Sequence, residues 1–299
     1  MALLTEIINM ETISNGKISI SAQRFSAELC SLRDAATGRE YFWQADPKFW
    51  GRHCPMLFPI VGGLWEGSYL HRGVRRNMPK HGLLQERAFD VKSQDAESVT
   101  YITHDTAATR SAFPFKFELE QKFSLHERTV SVGWTVRNVG CDDMPFQIGG
   151  HPSFYFHGFK PGDEVKGYLK FDNPSPESAT VGMSGCLGMK RYALPVEDGM
   201  LEVRDECFAG DSIIIDNSQV SNVTLLDTEQ KPVVRVSSNA PVFLAWSPYG
   251  CNAPFVCLEP WYGLCDKEWY KGEFSERPYT NIVKAGEEWT GGYDIEVLG

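Results

Sequence analysis

The chain has 299 residues, with 29 Lys and Arg against 39 Asp and Glu, a formal net charge of −10 and a sequence pI near 5.2. That balance argues against a nucleic-acid binder and against a peripheral protein held on an anionic membrane, since both rely on an excess of Lys and Arg to neutralise phosphates. At 42% hydrophobic and 23% charged residues the composition is globular rather than disordered, and a chain of this length can bury a core without disulfide staples.

The N-terminal stretch MALLTEIINMETISNG has no basic region followed by an apolar run, so no leader is expected. No apolar run approaches the roughly 18 residues of a membrane span. The eight cysteines include no CxxC pair, which removes the usual zinc-ribbon and thioredoxin spacings. These features together predict a reduced, cytoplasmic protein with no membrane partner.

Along the chain the dominant period is two. Thr12-Ile13-Ser14 and Lys17-Ile18-Ser19-Ile20 flank Asn15-Gly16, which predicts a hairpin with a type I′ turn. Phe115, Phe117 and Leu119 alternate with Lys116, Glu118 and Glu120, and Val130, Val132, Trp134 and Val136 alternate with Ser131, Gly133, Thr135 and Arg137. Each pattern is that of a half-buried strand. Residues 174–188, rich in Ser, Gly and Pro, read as a surface loop. Further strands are expected over 212–215, 220–226, 233–236, 242–246, 255–258 and 292–298. Many short strands without helical periodicity predict an all-β sandwich or barrel, read as one domain over 1–299.

Phosphate-loop, zinc-helix and nucleophile-elbow motifs are absent. Three short segments stand out instead. In Gly149-Gly150-His151-Pro152 the glycines suit a bulge or sheet crossing, and the proline biases His151 toward an extended backbone. An imidazole fixed in this way can act as acid or base near neutrality, or can simply be hydrogen-bonded at a bent strand. In Cys257-Leu258-Glu259-Pro260-Trp261-Tyr262-Gly263 a carboxylate ends an apolar run, beside aromatic faces of the kind that stack on sugar rings. The same residues also suit a salt bridge at an aromatic core edge. Lys80-His81-Gly82 is the third segment, as much a turn as a site. His151 with His157 lacks a third metal ligand at a recognisable spacing.

In this order the segments resemble the aldose 1-epimerase (galactose mutarotase-like) family, in particular the bacterial branch with FPIVG, HG, GGHP and EPWYG motifs. Here these read Phe58-Pro59-Ile60-Val61-Gly62, His81-Gly82, Gly149-Gly150-His151-Pro152 and Glu259-Pro260-Trp261-Tyr262-Gly263. The resemblance runs from about residue 5 to the C-terminus. It implies a large antiparallel β-supersandwich that interconverts the α and β anomers of a hexose without metal or organic cofactor. It further implies Glu259 as general base, His151 as general acid and His81 as a second histidine on the sugar, with Asp211 in substrate binding, beside Trp261 as the aromatic face read above for sugar stacking. The branch usually carries an arginine directly after FPIVG; this chain has Gly63, with Arg52 or an arginine between 72 and 76 as the candidate substitute.

Two other readings stand beside this one. The basic cluster His71, Arg72, Arg75, Arg76, Lys80 and His81 is either a solvated hairpin or a phosphate clamp, with Arg75 as the residue whose removal tests it. The clamp would make the chain a hexose-6-phosphate 1-epimerase. The other is a carbohydrate-binding or regulatory module without turnover. The expected partner in every case is a small sugar, and the chain is a monomer or a homodimer.

Overall fold

The computed structural model describes residues 10–299. Residues 1–9, which begin the stretch read above for a leader, lie outside the described part. Among the described residues no helix is long and apolar enough to cross a membrane.

The all-β expectation holds. Two large sheets carry the fold, with every strand pairing antiparallel. A nine-stranded sheet runs from Met200–Val203 through Gly167–Phe171, Asn222–Leu226, Pro232–Ser237, Glu288–Val297, Thr129–Asn138, Phe117–His126 and Ser98–His104 to Asp90–Gln94. An eight-stranded sheet runs from Leu187–Ala193 through Glu177–Val181, Ser212–Ile215, Val242–Trp246, Phe255–Tyr262 and Ile148–Gly150 to Met56–Leu57, with Ser153–Tyr155 also paired to Phe255–Tyr262. A three-stranded sheet, Met10–Ser14, Ile18–Gln23 and Glu28–Asp34, adds to the same core through Ile18, Ile20, Leu29 and Leu32.

The two large sheets bury their residues differently. Thr129–Asn138 alternates strictly between buried and half-buried positions, with Val130, Val132, Trp134 and Val136 inward. Phe255–Tyr262 is buried at every position but its last. Its even positions Val256 and Leu258 join the main core, as do Phe243 and Ala245 of the neighbouring strand. The odd positions turn to the other face, where Phe255 and Cys257 pack in one small cluster and Trp261 with Val242 and Leu244 in another. The eight-stranded sheet is therefore covered on both faces, and its outer cover leaves room for a site.

Two local readings are corrected. In the first hairpin Gly16 is the turn residue with positive φ (81°), while Asn15 acts through its side chain, accepting from the Lys17 and Ile18 N–H groups at 3.0 and 3.1 Å. The turn is thus an Asx-type closure and not type I′, which needs positive φ at both central residues. Residues 174–188 are not a loop: they contain Glu177–Val181 and the start of Leu187–Ala193. Cross-strand partners and the burial of Ser178 outweigh the turn-like composition there.

Candidate active site

The outer face of the eight-stranded sheet floors a cavity of about 530 Å³. Adjacent strands supply a row across the floor, with Ile214 opposite Leu244 and Leu244 opposite Glu259. Trp246 and Trp261 lie one pair to either side, and His81, His151, Asp211 and Lys80 complete the wall.

Local sequence explains how each group reaches this face. On its far side Phe255–Tyr262 has no continuous partner: Ser153–Tyr155 covers 255–257 and Ile148–Gly150 covers 261–262. His151 and Pro152 span the gap, where the Leu258 N–H donates to the Pro152 carbonyl at 3.0 Å. Pro260, which has no N–H to offer, stands at that interruption, so the ladder loses nothing by it. The two glycines before His151 keep ordinary φ values; what they supply is space and not a special conformation. A Cβ on Gly149 would come within 2.6 Å of Trp261 Cδ1, and one on Gly150 within 2.6 Å of Tyr293 Cε1. One glycine clears the site face and the other clears the core face.

His81 comes from a tight turn in which the Gly82 N–H donates to the Pro79 carbonyl at 3.0 Å and His81 has φ 65°. A Cβ at Gly82 would meet the Phe58 carbonyl oxygen at 2.2 Å, so only glycine fits against the FPIVG segment. The Gly62 N–H donates to His81 Nδ1 at 3.1 Å, which leaves Nε2 to carry the proton of a neutral ring.

Glu259 and His151 meet at 3.2 Å between Oε1 and Nε2, and the Trp261 indole N–H donates to Oε2 at 3.2 Å. The two side chains are 1% and 9% exposed. His151 stacks on Trp50 at 4.7 Å and meets His81 edge-on at 5.8 Å. Burial pushes the Glu259 carboxyl well above its ordinary range, with the positive charge of Lys80 and the Trp261 hydrogen bond acting the other way. Burial also lowers His151 to about 3 and takes His81 well below the ordinary range, the positive charge of Lys80 adding to both. A buried pair of this kind titrates as a unit, and over the intermediate range it holds one proton.

His151, Cys257 and Glu259 each place a donor atom within 4.8 Å of the others. Burial drives the Cys257 thiol well above its ordinary range.

Of the residues singled out from sequence, the structure gathers Glu259, His151, His81, Asp211, Trp261 and Arg52 around this one cavity. Asp211 stands at the start of Ser212–Ile215 with φ 83°. Arg52 lines the wall but is already engaged, donating to the Gln85 carbonyl at 2.9 Å and lying 3.6 Å from Glu28. Arg75 is the exception and does not line the cavity. It belongs to the outer ribbon Ser68–His71 with Val74–Asn77, where it donates to Ser68 Oγ at 2.8 Å. Arg72 pairs with Asp142 and Arg76 with the Ser111 carbonyl. Position 63 is closed from outside: a Cβ on Gly63 would lie 2.9 Å from the Ser184 carbonyl oxygen. Sequence reading missed Trp50 and Trp246 as wall residues and named Lys80 only as a member of the basic cluster and of the Lys80-His81-Gly82 segment. Trp246 carried a signal, the alternation Val242, Leu244, Trp246 in phase with Glu259, and Lys80 directly precedes His81; Trp50 carried none.

The all-β fold agrees with comparison to known proteins. The aldose 1-epimerase family profile matches residues 10–295, and the chain belongs to that family. It is similar to the plasmid-encoded protein LacX of Lactococcus lactis subsp. lactis, at 26% identity covering 96% of this chain and 98% of the relative. It also resembles the solved structure of a galactose mutarotase related enzyme from Lactobacillus acidophilus, with TM-score 0.91 and 29% identity over 97% of this chain and 98% of that one. A galactose mutarotase-like protein from Lactobacillus casei ATCC 334 superposes equally well, with TM-score 0.91 and 28% identity over 97% and 100% of the two chains.

Proposed function

We propose that the protein is an aldose 1-epimerase that interconverts the α and β anomers of a hexose. The observation that carries this reading is the buried Glu259–His151 contact at 3.2 Å on the floor of a sugar-sized cavity lined by tryptophans. Ring opening needs one proton taken from the anomeric hydroxyl and one delivered to the ring oxygen. Burial keeps the pair's proton on Glu259 in the free protein, so the reaction begins with its transfer to His151 as the sugar binds. Glu259 then removes the anomeric proton and His151 protonates the ring oxygen, so that C1 becomes an aldehyde and the ring C–O bond breaks. Rotation about C1–C2 and the reverse transfers close the ring on the other face and restore both groups. His81 is assigned as a neutral Nε2–H donor to the sugar, and Asp211 and Trp261 as its binding partners.

Arg75 gives the phosphate-clamp alternative no support, because its guanidinium is held on the outer ribbon. The test is relaxation of freshly dissolved α-D-glucose and α-D-galactose followed by polarimetry, beside glucose 6-phosphate followed by NMR. The wild type should accelerate at least one free sugar, and Glu259→Gln should lose about 10²–10⁴-fold in turnover while keeping its fold. Equal rates in the two proteins would overturn the assignment, and sugar binding without acceleration would make the chain a binding module.

A further inference from the structure

Lys80 is the first central residue of the turn whose second is His81, so one tight turn delivers an ammonium and an imidazole to the same wall. Its Nζ lies 3.7 Å from where a Cβ on Gly185 would stand, at the segment that closes over Gly63. Among the described residues Lys80 makes no ion pair or side-chain hydrogen bond. The other cation on the wall, Arg52, is engaged by Glu28 and the Gln85 carbonyl. Around Glu259 and His151 stand His81, Asp211, Glu86, Arg52 and Cys257, with the buried Glu28 behind His151 as a further negative charge, itself against Arg52 and His53. Asp211 and Glu86 can contribute only negative charge, so an uncommitted positive charge must come from Lys80.

We propose that Lys80 is the positioning residue that sets the pH window of the acid–base pair: its ammonium repels the proton the pair holds. It acts through Glu259 and His151 and not on the reacting atoms. This rests on the epimerase reading for its role in turnover, but its electrostatic content is independent of any substrate. A positive charge lowers both macroscopic steps of a coupled pair, the gain of a second proton at low pH and the loss of the shared one at high pH. Removing that charge must therefore carry both limbs of the profile upward together.

The experiment compares wild type, Lys80→Met and Lys80→Arg. In Lys80→Met the bell-shaped pH profile of kcat/KM should move bodily to higher pH by on the order of half to one unit, and Lys80→Arg should hold the wild-type position. ¹⁵N-histidine NMR reads the same charge without turnover: the His151 and His81 midpoints should rise in Lys80→Met only. A profile that falls in height without moving, or histidine midpoints that do not shift, would overturn the proposal. If no sugar is turned over by the wild type, the epimerase reading fails, and the histidine titrations still decide the role of Lys80.

Discussion

Thr129–Asn138 and Phe255–Tyr262 both lie in the interior of their sheets, yet only the second carries the candidate chemistry. The first spends one face on the core and the other on solvent, so its outward groups, such as Thr135 and Arg137, are only half-buried. The second has both faces covered, and the Glu259 carboxyl on its outer face is almost fully buried. Such a group shifts its proton affinity, which is what a proton-transfer site requires. Covering a sheet twice is thus what buries a carboxyl at a position that an alternating strand would leave half-solvated.

Substitutions on the two faces of the same strand pair should separate stability from turnover. Leu258→Ala, on the core face, should cost about 2–5 kcal/mol and lower the melting temperature with little change in kcat beyond loss of folded protein. Leu244→Ala, on the cavity floor, should cost roughly half as much and raise KM, because the space it opens joins an existing cavity. Equal losses of stability at the two positions would mean that the faces are not distinct. The glycine pair sharpens the contrast at smaller scale. Gly150→Ala pushes on Tyr293 in the core and should cost about 1–3 kcal/mol, whereas Gly149→Ala displaces Trp261 and should also lower kcat. Calorimetry and steady-state kinetics on both variants check this, and identical kinetic behaviour would break the comparison. Arg75→Ala, outside both faces, should change stability by less than about 0.5 kcal/mol and leave the kinetics with free and phosphorylated sugars unchanged.

Much of this was legible in the sequence where the information is local. Period-two alternation identified Thr129–Asn138 directly, because solvent on one face forces polar residues there. The motifs around His81, His151 and Glu259 were visible through their Gly and Pro neighbours, although the glycines before His151 supply space and not the special backbone expected of them. Residues 174–188 misled because their composition suits a turn, whereas their state is decided by strands far along the chain. Arg75 misled because charge clustering in sequence does not say which side of a ribbon faces the cavity. Trp50 reaches His151 across about a hundred residues of chain, a contact no local pattern encodes.

The closure over position 63 has a consequence for how this site can change. With the Ser184 carbonyl where a side chain would begin, an arginine at position 63 is incompatible with the present course of Met183–Gly185. The two places form an epistatic pair: a gain of side chain at one demands a deletion or rerouting at the other. Gly63→Arg alone should therefore lower the melting temperature, while the same substitution combined with a shortened 182–186 segment restores it. Specificity redesign here has to move through both positions at once.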